Sequence, residues 1–342
     1  MSTASQAHAQ SPPDAEDDPI AFEGISAGDQ DEVHSVSSDG QRSTISVTSS
    51  ILEYRQLHGR TYHSDRFMVD YLYPNDDQQL ESVELCHQYL TILFDGQLFL
   101  APLEEDKIRR VLDVGTGSGT WAIEFADQFP NASVTGTDLS PCQPKWVPPN
   151  VHFEIDDASL DWTWEANHFD FIHMRYIVGG IQDWTTLLKE AYRCCAPGGW
   201  VESIEYEVDF RSDDGTTELE PVLASFGELF REAGKILNRP FFLHDIQEQA
   251  FDEAGFVEKK VIRYKLPIGP WAQDGKFAEI GRLAREAAEN DLQGYTQMIW
   301  RSVLQRPTAE YFVWLATFRK AMRNPDVHSY VLALIVYGRK PG

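Results

Sequence analysis

The sequence predicts an α/β fold, a mostly parallel sheet with helices on both faces, and three observations carry that prediction. From Arg109 onward, short apolar runs alternate with helix-periodic segments, the pattern of strand–helix–strand units. The first run, "RRVLDVG", ends in three alternating glycines before a helical segment begins. Acids then stand at the ends of three successive runs: Asp113, Asp138 and Asp157.

The elements are taken in chain order. Residues 1–50 are rich in Ser, Asp, Glu, Gln and Pro, and the first forty carry nine acids and no Lys or Arg. Such a segment buries too little apolar area to offset its ordering entropy, so a disordered acidic tail is expected. Residues 51–105 read as an N-terminal helical cap. Its first helix is expected from Ile51, with Ser50 as N-cap and Gly59 as stop; its second spans about Gln79–Asp95. Residues 106–342 form the main domain. Strands are expected at "RRVLDVG", "SVTGTDLS", "VHFEID", "FDFIHMR" and "WVESIEYEV", and later at "FVEKKVIRYKLP" and "HSYVLALIVYGRK". Helices are expected at Thr120–Phe129, at Asp183–Cys195 (closed by Pro197-Gly198-Gly199), at Glu218–Leu237 and at Asp245–Ala254. A helical insertion at about 269–327 separates the last two strands.

Composition excludes several classes. The 342 residues carry a net charge of −25, which repels phosphate backbones and anionic lipid heads. No direct nucleic-acid or membrane binding is therefore expected. The longest apolar run, Tyr330–Tyr337, is too short for a bilayer helix, and the N-terminus lacks a basic and an apolar signal region. The four cysteines form no C-x-x-C pair, and the histidines lack H-x-x-x-H spacing, so neither a disulfide framework nor a metal site is expected.

The glycine loop poses the question of its ligand. Missing Cβ atoms let backbone approach a ligand closely and turn sharply into a helix. A dinucleotide loop reads G-x-G-x-x-G/A. Here Gly115, Gly117 and Gly119 alternate strictly, with Thr116 between the first two and Thr120 where the third dinucleotide glycine would be. Asp113, two residues before Gly115, would repel a pyrophosphate and suits a cationic group. A Walker loop is excluded, because no G-K-S/T is present. S-adenosylmethionine fits: it carries a sulfonium, an ammonium and an adenosine, and no phosphate. Asp138, 23 residues after Gly115, stands where a carboxylate takes ribose hydroxyls. Asp157 stands where a side chain can accept from the adenine amino group, with Asp156 as the competing candidate.

The stretches "VLDVGTGSGTWAIEFADQFPNASVTGTDLSP", "QPKWVPPNVHFEIDDA", "FDFIHMR" and "CAPGGWVESIEYE" resemble class I S-adenosylmethionine-dependent methyltransferases. With "YRQLHGRTYH", "DGQLFLAPL" and the terminal "VYGRKP", they resemble the fungal LaeA-like group in particular. The resemblance covers roughly Ile51 to the C-terminus. It implies a Rossmann-like, seven-stranded sheet whose last strand inserts antiparallel. It also implies that Asp113, Gly115, Gly117 and Gly119 meet the methionine end of the cofactor, Asp138 the ribose and Asp157 the adenine, with Thr116, Leu139 and Asp156 as further cofactor-binding candidates. Arg175 would lie beside the transfer position.

Methyl transfer from a sulfonium is an in-line displacement that needs alignment and exclusion of water more than acid–base groups. The sequence therefore names no catalytic residue. His173 and Tyr176 are candidate bases, with a buried structural role favoured for His173. Tyr62 and His63 could close over the cofactor. The aromatics of the insertion, among them Tyr295, Trp300, Tyr311, Trp314 and Phe318, could line a substrate pocket, although their i,i+4 spacing favours helix packing. The expected activity is methylation of a small molecule of secondary metabolism, in the cytoplasm. The rival reading is a nuclear regulator that methylates or docks a protein partner through its acidic tail. A nicotinamide-dependent oxidoreductase is disfavoured by Asp113 and the glycine spacing.

Overall fold

A computed structural model describes residues 54–64 and 71–342. The expected tail and the expected helix start at Ser50 and Ile51 lie outside the described residues. The segment from Arg55 to Gly59, expected as the body of that helix and its stop, is not helical. Arg55–Leu57 (β1) and Arg60–Tyr62 (β2) form an antiparallel hairpin. His58 and Gly59, both at positive φ (55° and 81°), make its two-residue turn. Two consecutive positive-φ residues match the twist of a hairpin, so Gly59 turns a strand where a helix stop was expected. The second cap helix, α1, spans Asp77–Leu93 with Asp76 as its N-cap.

The main sheet is built from Arg110–Val114 (β3), Ser133–Asp138 (β4), Val151–Ile155 (β5), Phe169–Arg175 (β6), Cys195–Tyr206 (β7), Val257–Pro267 (β8) and Tyr330–Arg339 (β9). Its order is β5-β4-β3-β6-β7-β9-β8. The first five are mutually parallel; β9 lies antiparallel between β7 and β8. This is the seven-stranded, mostly parallel sheet that the resemblance implies. The order reverses between β4-β3 and β6, which puts the ends of these strands at a switch point where open α/β sheets bind ligands.

Both faces of the sheet are covered, as parallel sheets require. Val111, Val134 and Phe171 pack with Trp121 and Phe125 of α2 (Thr120–Gln128). Leu112, Ile172 and Val201, one residue out of phase, face the larger core with Leu187, Leu188 and Ala191 of α3 (Trp184–Cys194).

Two boundaries differ from expectation. Pro197-Gly198-Gly199 does not close α3 as a loop. It lies inside β7, where the register with β6 jumps from Phe169↔Cys195 to Phe171↔Trp200, a bulge that absorbs the extra residues. The helix expected from Glu218 is interrupted at Pro221: two 3-10 turns, Thr216–Leu219 and Pro221–Leu223, precede α4 (Ala224–Leu237). After α5 (Ile246–Ala254), the insertion holds α6 (Gly275–Asn290), α7 (Leu292–Met298), a five-residue π turn at Ile299–Val303, and α8 (Thr308–Met322). The Ser82 hydroxyl of α1 donates to the Ala287 carbonyl of α6 at 2.8 Å, tying cap to insertion.

Candidate active site

The glycine loop leaves the end of β3 and is pinned to β4. The Thr116 N–H donates to the Thr137 carbonyl at 2.8 Å, and the Gly117 N–H to Asp138 Oδ2 at 2.9 Å. Gly115 has a φ of 69°, and a Cβ there would stand 2.5 Å from the Ile177 side chain. Only glycine fits both demands. Asp113 is buried behind the loop. Its Oδ2 accepts from the Thr116 hydroxyl at 2.6 Å, and its Oδ1 from His173 Nδ1 at 2.8 Å.

The other acids stand as the strand ends place them. Asp138 Oδ1 accepts from the Ser140 N–H at 3.0 Å; burial raises its pKa, against the hydrogen bonds from Gly117 and Ser140. Asp157 Oδ1 accepts from both the N–H and the hydroxyl of Ser159, at 2.9 and 2.6 Å. Its Oδ2 is buried and has no partner. Asp156 turns one oxygen back onto the Asp157 N–H at 2.9 Å. Burial raises the Asp156 pKa as well.

Of the ten residues singled out in the sequence, all but Gly119 line one cavity of about 130 Å³: Asp113, Gly115, Thr116, Gly117, Asp138, Leu139, Asp156, Asp157 and Arg175. Gly119 lies outside that lining; a Cβ there would run into the Phe153 ring, so it permits helix–sheet packing. Arg175 Nη2 meets His87 Nδ1 of α1 at 3.2 Å, and its guanidinium lies 5.6 Å from the centre of the Tyr176 ring. Among the described residues no carboxylate pairs with it.

A second chamber, of about 180 Å³, adjoins the first and shares Tyr71, Val83 and Tyr176 with it as walls. Its lining is mostly apolar and rich in tyrosine: Tyr71, Tyr73, Tyr89, Tyr176, Tyr206 and Tyr295. Tyr176 has a φ of 58°, and its ring stacks on Tyr206 at 4.3 Å. The turn after Tyr176 is held by Glu205, which accepts from the Ile177 and Val178 N–H groups at 3.1 Å each; burial pushes this carboxyl up to about 8.

Of this chamber's lining the sequence offered only Tyr176, as a candidate base, and Tyr295, among the insertion aromatics. One signal was available: Gln79, Val83 and Cys86 recur at helical spacing along α1, and all three line it. Tyr71, Tyr73 and the end of β7 reach it from positions that only the fold brings together. Among the insertion aromatics, Tyr295 lines it, whereas Trp300, Tyr311 and Trp314 pack on one another. His173 is fully buried, stacked on Trp121 at 3.8 Å and 2°, and faces neither chamber. Tyr62 and His63 are buried too, and neither lines either chamber.

A family model described as a methyltransferase domain matches residues 86–257. The chain belongs to that family. It falls among the LaeA-like fungal methyltransferases. It is 34% identical over 305 residues to the methyltransferase pytC of Aspergillus terreus, covering 89% of this chain and 93% of that one. It is 34% identical to the secondary metabolism regulator LAE1 of Cochliobolus heterostrophus, covering 83% and 94%. It is 28% identical to the protein-methionine methyltransferase laeA of Emericella nidulans, covering 89% and 82%. The enzyme is an S-adenosylmethionine-dependent methyltransferase. Among the described residues no helix of this methyltransferase is long and apolar enough to cross a membrane.

Proposed function

We propose that this methyltransferase methylates a small molecule in the cytoplasm. The observation that carries the reading is the second chamber: an apolar, tyrosine-lined cavity against the glycine-loop cleft, of the kind that takes small organic ligands. In this reading Asp113 and the glycine loop meet the amino-acid end of the cofactor, Asp138 the ribose hydroxyls, and Asp157 the adenine amino group. Asp157 is favoured over Asp156 because its Oδ2 is a buried acceptor still lacking a donor. When bound, the cofactor supplies a methyl group already activated on a sulfonium. The chain's own residues align the acceptor and exclude water; no general base is required of them.

Calorimetry on the full chain tests the cofactor residues. Asp138→Ala is expected to weaken S-adenosylhomocysteine binding by tenfold or more, and binding unchanged by that substitution would reject the assignment. Incubation of labelled cofactor with host metabolite and host protein extracts then tests the substrate class. Label in small molecules supports this reading; label in protein alone rejects it in favour of a regulator.

A further inference from the structure

We infer that the acceptor is the hydroxyl of a weak acid, a phenol or an enol, carried on an uncharged and largely apolar body, and that Arg175 holds it as its anion. The inference rests on the small-molecule reading above and adds the chemical class.

The body follows from the chamber lining. Among the described residues no Lys or Arg lines it. The one carboxylate lining it among the described residues, Glu207, is already engaged: Oε2 by Arg211 at 2.5 Å and Oε1 by His244 at 3.5 Å. A charged body would enter a low-dielectric space with no counter-ion, which is costly. Gln79 offers a single polar anchor. It is more than nine-tenths buried, and its Oε1 has no hydrogen-bond partner. A hydroxyl or N–H on the body would satisfy it.

The anion follows from Arg175. Guanidinium carries five donors, and among the described residues the only hydrogen-bond partner of this one is His87. That imidazole, neutral or protonated, brings no negative charge; its far nitrogen meets the half-exposed Glu124 carboxylate at 3.0 Å, which therefore reaches Arg175 only through the ring. The guanidinium carbon lies 5.6 Å from the centre of the Tyr176 ring, which walls both chambers, while Arg175 itself lines the glycine-loop cavity. An unpaired cation at such a border stabilises an oxyanion and repels an ammonium. The other titratable groups that feel its charge, Cys86, His173 and Tyr176, are all buried or half-buried and supply no anion in its place. The hydroxyl proton leaves to solvent as the anion binds. The acceptor oxygen then donates a lone pair to the methyl carbon while the carbon–sulfur bond breaks, its electron pair staying on sulfur as the neutral thioether.

The test is a binding titration of the full chain saturated with S-adenosylhomocysteine, using 4-nitrophenol, whose anion has its own absorption band, and 4-nitroanisole, the same body without the acidic hydroxyl. The bound phenol is expected to ionise at least about one pH unit below its value in water. With S-adenosylhomocysteine held saturating for each variant, Arg175→Met should abolish that shift and weaken the phenol about tenfold, while changing nitroanisole less than about threefold; Arg175→Lys should keep part of the shift. An unshifted or raised ionisation, nitroanisole bound as tightly as the phenol, or no phenol binding overturns the inference. So does an Arg175→Met variant that loses S-adenosylhomocysteine but still binds 5′-methylthioadenosine, since the guanidinium would then serve the cofactor's carboxylate. A wild-type chain that fails to bind S-adenosylhomocysteine rejects the cofactor site itself, a separate result.

Discussion

The His173 ring touches neither chamber, but its Nδ1–H is spent on the Asp113 carboxylate that lines one of them. Asp113 can only accept there, so the proton sits on Nδ1, and burial lowers the imidazole pKa and keeps the ring neutral. Stacking on Trp121 fixes its plane. His173→Phe keeps the stack and removes the donor, leaving a buried carboxylate oxygen short of one hydrogen bond, at a cost of about 1–3 kcal/mol. S-adenosylhomocysteine affinity is expected to fall about tenfold in calorimetry. Binding of 5′-methylthioadenosine, which lacks the amino acid, should hold within about twofold, and an equal loss for both ligands would contradict the positioning role. Strand alternation alone puts Phe171 and His173 on one face of β6. It could not show that Trp121 covers that face, because the contact depends on where α2 lands after the glycine loop.

Arg60 joins elements far apart in the chain. Its guanidinium holds Asp76 through Nε and Nη2 at 2.5 Å each, and Asp291 through Nη1 and Nη2 at 2.6 and 2.9 Å. Both acids are helix N-caps: Asp76 accepts from the Gln79 N–H of α1, and Asp291 from the Gly294 N–H of α7. The hairpin's second strand thus clamps the starts of two helices, one in the cap and one in the insertion. Arg60→Ala leaves buried Asp291 without its cation, and removing one partner of a buried pair typically costs about 3–5 kcal/mol. The urea midpoint should drop accordingly, and a loss under about 1 kcal/mol would mean the clamp is not needed. In the sequence, Asp291 was invisible as a partner of Arg60, since more than two hundred residues separate them. By contrast, the central strands of the main sheet were legible, because each buries both faces and so reads as an apolar run. The hairpin was misread because apolar positions next to a glycine fit a short helix as well as a tight turn, and only positive φ at His58 and Gly59 separates the two.

Across the whole molecule, buried acids and buried histidines pull stability in opposite directions with pH. Burial raises Glu202 to about 7 and Glu205 to about 8, from an ordinary 4.5. The folded state therefore holds protons that the unfolded chain has released, and stability falls as pH rises through 4.5 to 8. His87 and His173 are lowered from 6.5, so the folded state holds fewer protons than the unfolded one below that value, and stability falls as pH drops. The two effects oppose each other below pH 6.5. Above 6.5 the histidine effect fades while the two glutamates still act, and the buried thiols begin to count nearer their ordinary value of 9.0. Each glutamate still protonated in the folded state costs about 1.4 kcal/mol per pH unit there. Urea denaturation should therefore show stability declining by about 1–3 kcal/mol between pH 6.5 and 8. Glu205→Gln should reduce that slope by roughly half or more, because Glu205 stays protonated furthest into the window. It should also lower stability at pH 6.5 by about 1–2 kcal/mol, as one amide oxygen cannot serve both the Ile177 and Val178 N–H groups. A flat profile in the parent chain, or an unchanged slope in the variant, would show that Glu205 is ionised in the folded state throughout. The turn that sets Tyr176 between the two chambers would then be held by a full carboxylate charge at every working pH.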